Sequence, residues 1–269
     1  MSKQLVTYIR PPGLSGVELL HLADPDFAFG PHLHDAYVFW LNGQGGEKVS
    51  LRGASDILQP DSFGVVAPGE VHANHAVTES RTLQSLYVDE AIVEEIAAQR
   101  GYETAGFRSR LQQDAQSRTV LARLHAGLML VDDAFQAREL FVGAFSLLMD
   151  RHAEGGRIDN LRRDPAKVRL ARTIIDEQYA EAIDLDLLAE VCGCSTCHLI
   201  RLFRREVGMT PHAYLMERRL AHTRDLLLGK DSLSAIALAA GFADQSHMTR
   251  RFRQRFGLTP GYYRRQISS

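Results

Sequence analysis

Apolar and polar positions divide this chain into two regions that follow different periods. Up to residue 85 the apolar runs are short and interleaved with Gly and Pro: YVFWLNG (Tyr37–Gly43), KVSL (Lys48–Leu51) and SFGVVAPG (Ser62–Gly69). Runs of this length closed by turn residues predict strands, and several at this spacing predict a small barrel or sandwich. Near Val88 the period lengthens. DEAIVEEIAAQRG (Asp89–Gly101) predicts a short helix stopped by glycine. Val120, Leu121, Leu124 and Leu128, then Leu140, Phe141, Ala144, Leu147 and Leu148, recur at three- and four-residue steps and predict two longer helices. EGGRIDNLRRDP (Glu154–Pro165) is polar and glycine-bearing, as a linker is, and the chain after it reads as helical to its end. The expected organisation is α+β and multidomain. Residues 1–88 form a small β-barrel, 89–154 a helical segment, 155–165 a linker and 166–269 an all-α domain.

Within that last region one pattern occurs twice. When Gly193–Leu215 is set beneath Gly241–Tyr263 and one extra residue is allowed in the second copy, His198 meets His247, Arg201 meets Arg250 and Phe203 meets Phe252. Gly208 meets Gly257 and Pro211 meets Pro260, so the frame Gly-x-Thr-Pro recurs in GMTPHAYL and GLTPGYYR. Each copy follows an Ala- and Leu-rich stretch, LDLLAEVCG or LSAIALAAG. The reading is helix, glycine turn, helix. The glycine supplies a left-handed stop, Ser195 or Asp244 caps the second helix, and Leu199, Leu202, Phe203, Met248 and Phe252 point inward. The Thr of each Gly-x-Thr-Pro caps the next helix, whose first turn admits Pro. This is a helix-turn-helix, whose second helix fits a major groove.

Charge sharpens that picture. The 269 residues carry a net charge of −2, with 45% apolar and 24% charged residues, enough for packed cores in both regions. Residues 1–164 hold 15 Lys and Arg against 22 Asp and Glu, whereas from Ser195 onward the count is 13 against 5. Only the second region is built to meet a polyanion. The second helices carry RLFRRE and RRFRQRF, while the first helices have almost no basic residue, a segregation that favours DNA over a plain helical bundle. No run is long enough to span a bilayer and no export pattern opens the chain, so a cytoplasmic location is expected. The three cysteines fall within CGCSTC, which excludes a disulfide framework. Cys192, Cys194 and Cys197 match a soft-metal spacing, but without a second cysteine pair they read as small apolar residues of a turn.

The stretches LAEVCGCSTCHLIRLFRREVGMTPHAYLMERRLAHTRDLLL and SLSAIALAAGFADQSHMTRRFRQRFGLTPGYYRR resemble, over about a hundred residues, the C-terminal domain of the AraC/XylS family of bacterial transcription regulators. The resemblance implies two helix-turn-helix units bridged by one long helix, about Pro211–Leu228, presenting two reading helices to successive major-groove segments of double-stranded DNA. It carries base contact onto Cys197, Ile200 and Arg201 in the first unit and onto Gln245, Ser246, Thr249 and Arg250 in the second. Arg can bond a guanine edge and Gln an adenine edge; Cys and Ile offer apolar contact alone, which makes the first unit the less discriminating reader. Arg204, Arg205, Arg253 and Arg255 are expected on phosphates or in solvent. Control by a small-molecule effector, contact with RNA polymerase, a homodimer and, more often than repression, activation are the family's expectations.

GPHLHDAYVFWLNGQGG and DSFGVVAPGEVHANHA resemble the cupin-like sensor barrel that commonly precedes this DNA-binding domain. His32 and His34 share a strand face, and His72, in the turn Pro68-Gly69-Glu70-Val71-His72, can close on them. Three imidazoles suit a divalent metal. The enzyme pattern in cupins also requires a Glu four or five residues after the second His, where this chain has Val38 and Phe39, so a non-enzyme is expected, the alternative being a metal-binding cupin enzyme or metal sensor fused to a DNA-binding domain. An effector pocket is expected to be lined by His34, Tyr37, Phe39, Trp40 or their strand neighbours and by the His72 turn. The helices of 116–152 are expected to serve dimerisation or interdomain contact.

Overall fold

The computed structural model describes residues 5–24, 26, 28–51, 54–59, 61–102, 106–154, 164–256 and 258–267. It forms two compact units, Met1–Leu161 and Arg162–Ser269. Most of the expected linker, residues 155–163, lies outside the described residues, as does Gly257.

In the first unit, strands β1 (Leu5–Ile9), β2 (Val17–Ala23), β4 (Ala36–Gln44), β7 (Ser62–Val66), β9 (Thr82–Asp89) and β10 (Arg110–Gln113) make an antiparallel sheet in the order β1-β2-β9-β4-β7-β10. A second sheet, β3-β8-β5-β6, is built from β3 (Phe29–His32), β5 (Glu47–Leu51), β6 (Ala54–Leu58) and β8 (His72–Ala76). One core joins them: Leu20, Leu22, Val38, Trp40, Val66 and Leu83 from the first sheet meet Val49 and Leu58 from the second. Within it, Glu47 accepts hydrogen bonds from Trp40 Nε1 at 3.2 Å, Asn74 Nδ2 at 2.6 Å and Arg81 at 2.9 Å, tying the sheets together through a dry ionic group.

Three helices follow: α1 (Glu90–Gln99), α2 (Ala115–Leu128) and α3 (Ala134–His152). The expected break at residue 88 therefore runs through the interior of this unit. The 89–154 segment is not purely helical, because β10 pairs with β7 and extends the sheet. Its sequence, RLQQ, has no apolar alternation, which is why the pattern passes over it. Much of the apolar face of α3 is spent inside the unit, with Phe141, Val142, Phe145, Leu148 and Met149 buried, but Leu147 is 49% exposed.

The second unit consists of α4 (Pro165–Gln178), α5 (Leu185–Val191), α6 (Thr196–Val207), α7 (Pro211–Leu226), α8 (Leu233–Ala239), α9 (Gln245–Phe256) and α10 (Pro260–Ile267). Pairs α5–α6 and α8–α9 are the two helix-turn-helix units, and α7 is the helix between them. Among the described residues no helix is long and apolar enough to cross a membrane.

Candidate nucleic-acid interface and ligand cavity

The turn chemistry of the repeat is realised twice. Gly193 and Gly241 take φ values of +62° and +80°, the left-handed conformation that lets α5 and α8 stop within one residue. Ser195 Oγ then accepts from the His198 N–H at 3.3 Å, and Asp244 Oδ1 from the His247 N–H at 2.7 Å, satisfying the open amides of α6 and α9. Thr210 and Thr259 cap α7 and α10 in the same way, at 3.2 and 3.3 Å. Leu199, Leu202 and Phe203 on α6, and Met248 and Phe252 on α9, are buried and fix the outward face of each reading helix.

On α9 that face is open. Gln245, Ser246 and Arg250 are exposed, Thr249 is half-buried, and all four line one groove together with Arg253. Gln254 and Thr259 complete the groove. Sequence reasoning missed both, although Thr259 was legible as a cap and Gln254 lies one helical turn beyond Arg250.

On α6 the outcome differs. Arg204 is exposed and Arg201 half-buried, but Cys197 and Ile200 are each only 2% exposed. This corrects the expectation that these two side chains face bases: a thiol and an aliphatic chain are stabilised by leaving water, and the apolar arc of α6 widens to take them in. What remains outward on α6 is mainly basic, Arg201, Arg204 and Arg205, with half-buried His198 and exposed Glu206. Burial, then Arg201, Lys167 and Arg205, hold the His198 imidazole below its ordinary pKa, so it is neutral at pH 7 and can both donate and accept. Arg205 and Arg255 pair with Glu206 at 3.1 Å and Glu217 at 2.8 Å. None of Cys192, Cys194 and Cys197 is in a disulfide.

In the first unit, β3 pairs with β8 so that His32 stands opposite His72. The Gly69 N–H donates to the His34 carbonyl at 2.8 Å, which brings the 67–70 turn against the third histidine. Ring centroids lie 4.2 Å apart for His32–His72, 4.8 Å for His32–His34 and 5.2 Å for His34–His72. One ring nitrogen from each falls within 4.8 Å of the others, and among the described residues this is the cluster able to grip a metal ion. Nδ1 of His32 lies 2.7 Å from the Gly30 carbonyl and Nδ1 of His72 3.2 Å from the Glu70 carbonyl. A proton on each Nδ1 satisfies those carbonyls and leaves Nε2 as a lone-pair donor, the orientation that metal-ligating imidazoles adopt. Burial lowers the His72 pKa to about 4, with smaller contributions from His32 and His34, and lowers that of His34. At neutral pH the imidazoles of His34 and His72 are therefore uncharged, as ligation by nitrogen requires.

A cavity of about 20 Å³ lies beside the three rings, walled by Val38, Trp40, Asn74, Ser85 and Tyr87. It has space for roughly one water-sized body. Tyr37 and Phe39 do not line it, a second correction. Side chains alternate along β4, so Val38 and Trp40 take the inner face while Tyr37 and Phe39 pack outward, with ring centroids 5.9 Å and 4.9 Å from Phe107. A larger, open cleft of about 1090 Å³ lies at the end of β1, β2 and β9. Tyr8, Arg10, Glu18, Asp35 and Asp89 line it, and it shares His34 and Tyr87 with the inner cavity.

Two family models match the chain: an AraC-like ligand binding domain over residues 14–145 and a helix-turn-helix domain over residues 188–266. The uncharacterized HTH-type transcriptional regulator YbfI of Bacillus subtilis (strain 168) is 26% identical over 227 residues, 82% of this chain and 81% of YbfI. The transcriptional activator NphR of Rhodococcus sp. is 26% identical over 239 residues, 86% of this chain and 70% of NphR. The chain spans 41% of the length of another curated regulator, which it matches at 34% identity. A crystal structure of apo ToxT from Vibrio cholerae aligns over 94% of this chain and 98% of that one, at 13% identity and a TM-score of 0.42.

Proposed function

Because the chain belongs to the AraC/XylS family of transcription regulators, with a ligand-binding N-terminal unit and a DNA-binding C-terminal one, we propose that it is an effector-controlled activator whose second helix-turn-helix does most of the sequence reading. The observation that carries this is the open groove of α9, where Gln245, Ser246, Thr249 and Arg250 stand side by side with bonding groups suited to base edges. The first unit reads through Arg201 and otherwise contributes charge, since α6 withdraws Cys197 and Ile200 and presents Arg204. Arg204 and Arg253 hold phosphates, which position without specifying. NphR, a transcriptional activator by name, supports activation; with it come contact with RNA polymerase, a homodimer and a cytoplasmic location. The effector occupies the outer cleft, because the inner cavity is far smaller than the roughly 300 Å³ that organic ligands need. The test is Arg250→Ala on duplexes selected from a random library by the parent protein. Discrimination at one base pair should fall by about 1–3 kcal/mol; equal weakening on every sequence would remove Arg250 from the readers.

A second reading rests on the histidine cluster. His32, His34 and His72 would hold a divalent ion of intermediate softness, such as zinc, cobalt or nickel. Bound there, the ion would supply a fixed positive charge with room for one more donor. No catalytic role follows, because Glu47 is engaged by Arg81, Asn74 and Trp40. Cobalt(II) added to the full chain should give the visible absorption of a low-coordinate site, abolished by His72→Ala. Unchanged absorption in that variant would place the ion elsewhere.

A further inference from the structure

We propose that Arg219 and Gly241 set the phase between the two reading helices, and thereby the spacing of half-sites that this protein accepts. The inference rests on the DNA-reading function above. Arg219, on α7, is 5% exposed; its Nε donates to the Tyr179 carbonyl at 2.7 Å and its NH2 group to the Glu181 carbonyl at 2.8 Å. Those carbonyls belong to the segment that ends α4 and leads into α5, which begins at Leu185. A cation there meets the negative end of the α4 dipole, and the planar guanidinium grips two carbonyls at once.

Gly241, in the turn between α8 and α9, touches the same segment. A Cβ at Gly241 would fall 2.7 Å from Ala180 Cα and 2.8 Å from the carbonyl oxygens of Ala180 and Tyr179. Residues 179–181 are thus held by the bridging helix through Arg219 and by the turn of the second unit through Gly241. The chain then passes directly into the first unit, so a few backbone atoms fix where α6 stands relative to α9. The crossing of α4 and α7 has separate ties, Arg218 to Asp176 at 2.8 Å and Tyr214 to Asp176 at 2.9 Å. Loosening Arg219 should therefore shift the two readers without dissolving the domain.

Gly193 supplies the control. It occupies the equivalent turn of the first unit with φ +62°, and a Cβ there would find only the Lys167 amine, at 3.7 Å. Gly193→Ala and Gly241→Ala carry the same kind of backbone strain, but only the second presses one unit against the other.

The experiment uses the full chain and duplexes selected from a random library, then remade with the two half-sites one base pair closer, one base pair farther, or with one half-site scrambled. Arg219→Lys and Gly241→Ala should lose about tenfold on the parental spacing, keep their affinity for duplexes with a single intact half-site, and tolerate altered spacing better than the parent. Gly193→Ala should keep the parental spacing preference. If Gly241→Ala does not fold, Arg219→Lys alone decides. An unchanged spacing profile in Arg219→Lys, or equal loss on composite and single half-sites, overturns the proposal. A parent protein that selects no duplex overturns the DNA-reading function instead.

Discussion

Replacing Arg81 by Met is expected to destabilise the N-terminal unit by about 3–5 kcal/mol. The side chains of Arg81 and Glu47 are both 0% exposed, 2.9 Å apart. Attraction between buried charges barely offsets their lost hydration, but removing one partner leaves the other charged and dry. Burial already pushes the Glu47 pKa up, while hydrogen bonds from Asn74, Arg81 and Trp40 pull it down. Without Arg81 the carboxylate must take up a proton or draw in water. Because the folded pKa then lies above the unfolded value, the variant binds more protons folded than unfolded. Its stability should rise as pH falls toward the ordinary Glu value of about 4.3 and drop as pH climbs through the raised value. Trp40 is the chain's single tryptophan and donates to Glu47, so its fluorescence during urea unfolding reports on this unit alone. Adding Glu47→Gln to the Arg81→Met background should recover much of the loss. A cost below about 1 kcal/mol for Arg81→Met would mean that the pair behaves like a solvated one.

DNA affinity should fall steeply with salt. If roughly four to six phosphates are neutralised, the slope of log K against log salt is about −4 to −5, a loss of about 10²–10³-fold between 50 and 200 mM salt. The contributors differ by position. Arg204 and Arg253 are exposed on the reading helices, and either one changed to Ala should make the slope shallower by about 0.9. Arg255 is held by Glu217 at 2.8 Å, and Arg255→Ala should leave the slope nearly unchanged. Fluorescence anisotropy at four or five salt concentrations would separate these cases. A flat dependence would contradict a phosphate-gripping role for this face.

Much of the architecture was legible because its signals are local. The duplicated Gly-x-Thr-Pro frame, the turn glycines Gly193 and Gly241 and the caps Ser195 and Asp244 act within a few residues of themselves, and each appears where its chemistry requires. The histidine cluster was legible as a grouping, since the turn before His72 returns the chain to His32 and His34, but not for the strand-face reason expected: β3 ends at His32, and His34 follows it outside the strand. What escaped depends on distant partners. Strand alternation alone does not say which face of β4 is the inner one. Tyr37 and Phe39 went outward because Phe107 and Phe145 cover that side, and both belong to segments far along the chain. Cys197 and Ile200 sit at positions suited to base contact, yet their apolar side chains decided otherwise. The Glu47–Arg81 pair was invisible because a charged residue within a short polar-looking strand gives no hint that a partner 34 positions away will join it in the dry interior.

The unlike surfaces of α6 and α9 have a consequence for how this protein meets a gene. Two equivalent readers related by a two-fold axis would let the molecule sit on its target in either sense. On the proposed division of labour, a mainly phosphate-holding α6 followed by a base-reading α9, in fixed order along one chain, would give the complex a head and a tail. A single bound copy therefore points one way along the duplex, and inverting its target stretch in place would aim the same molecule away from the transcription start rather than toward it.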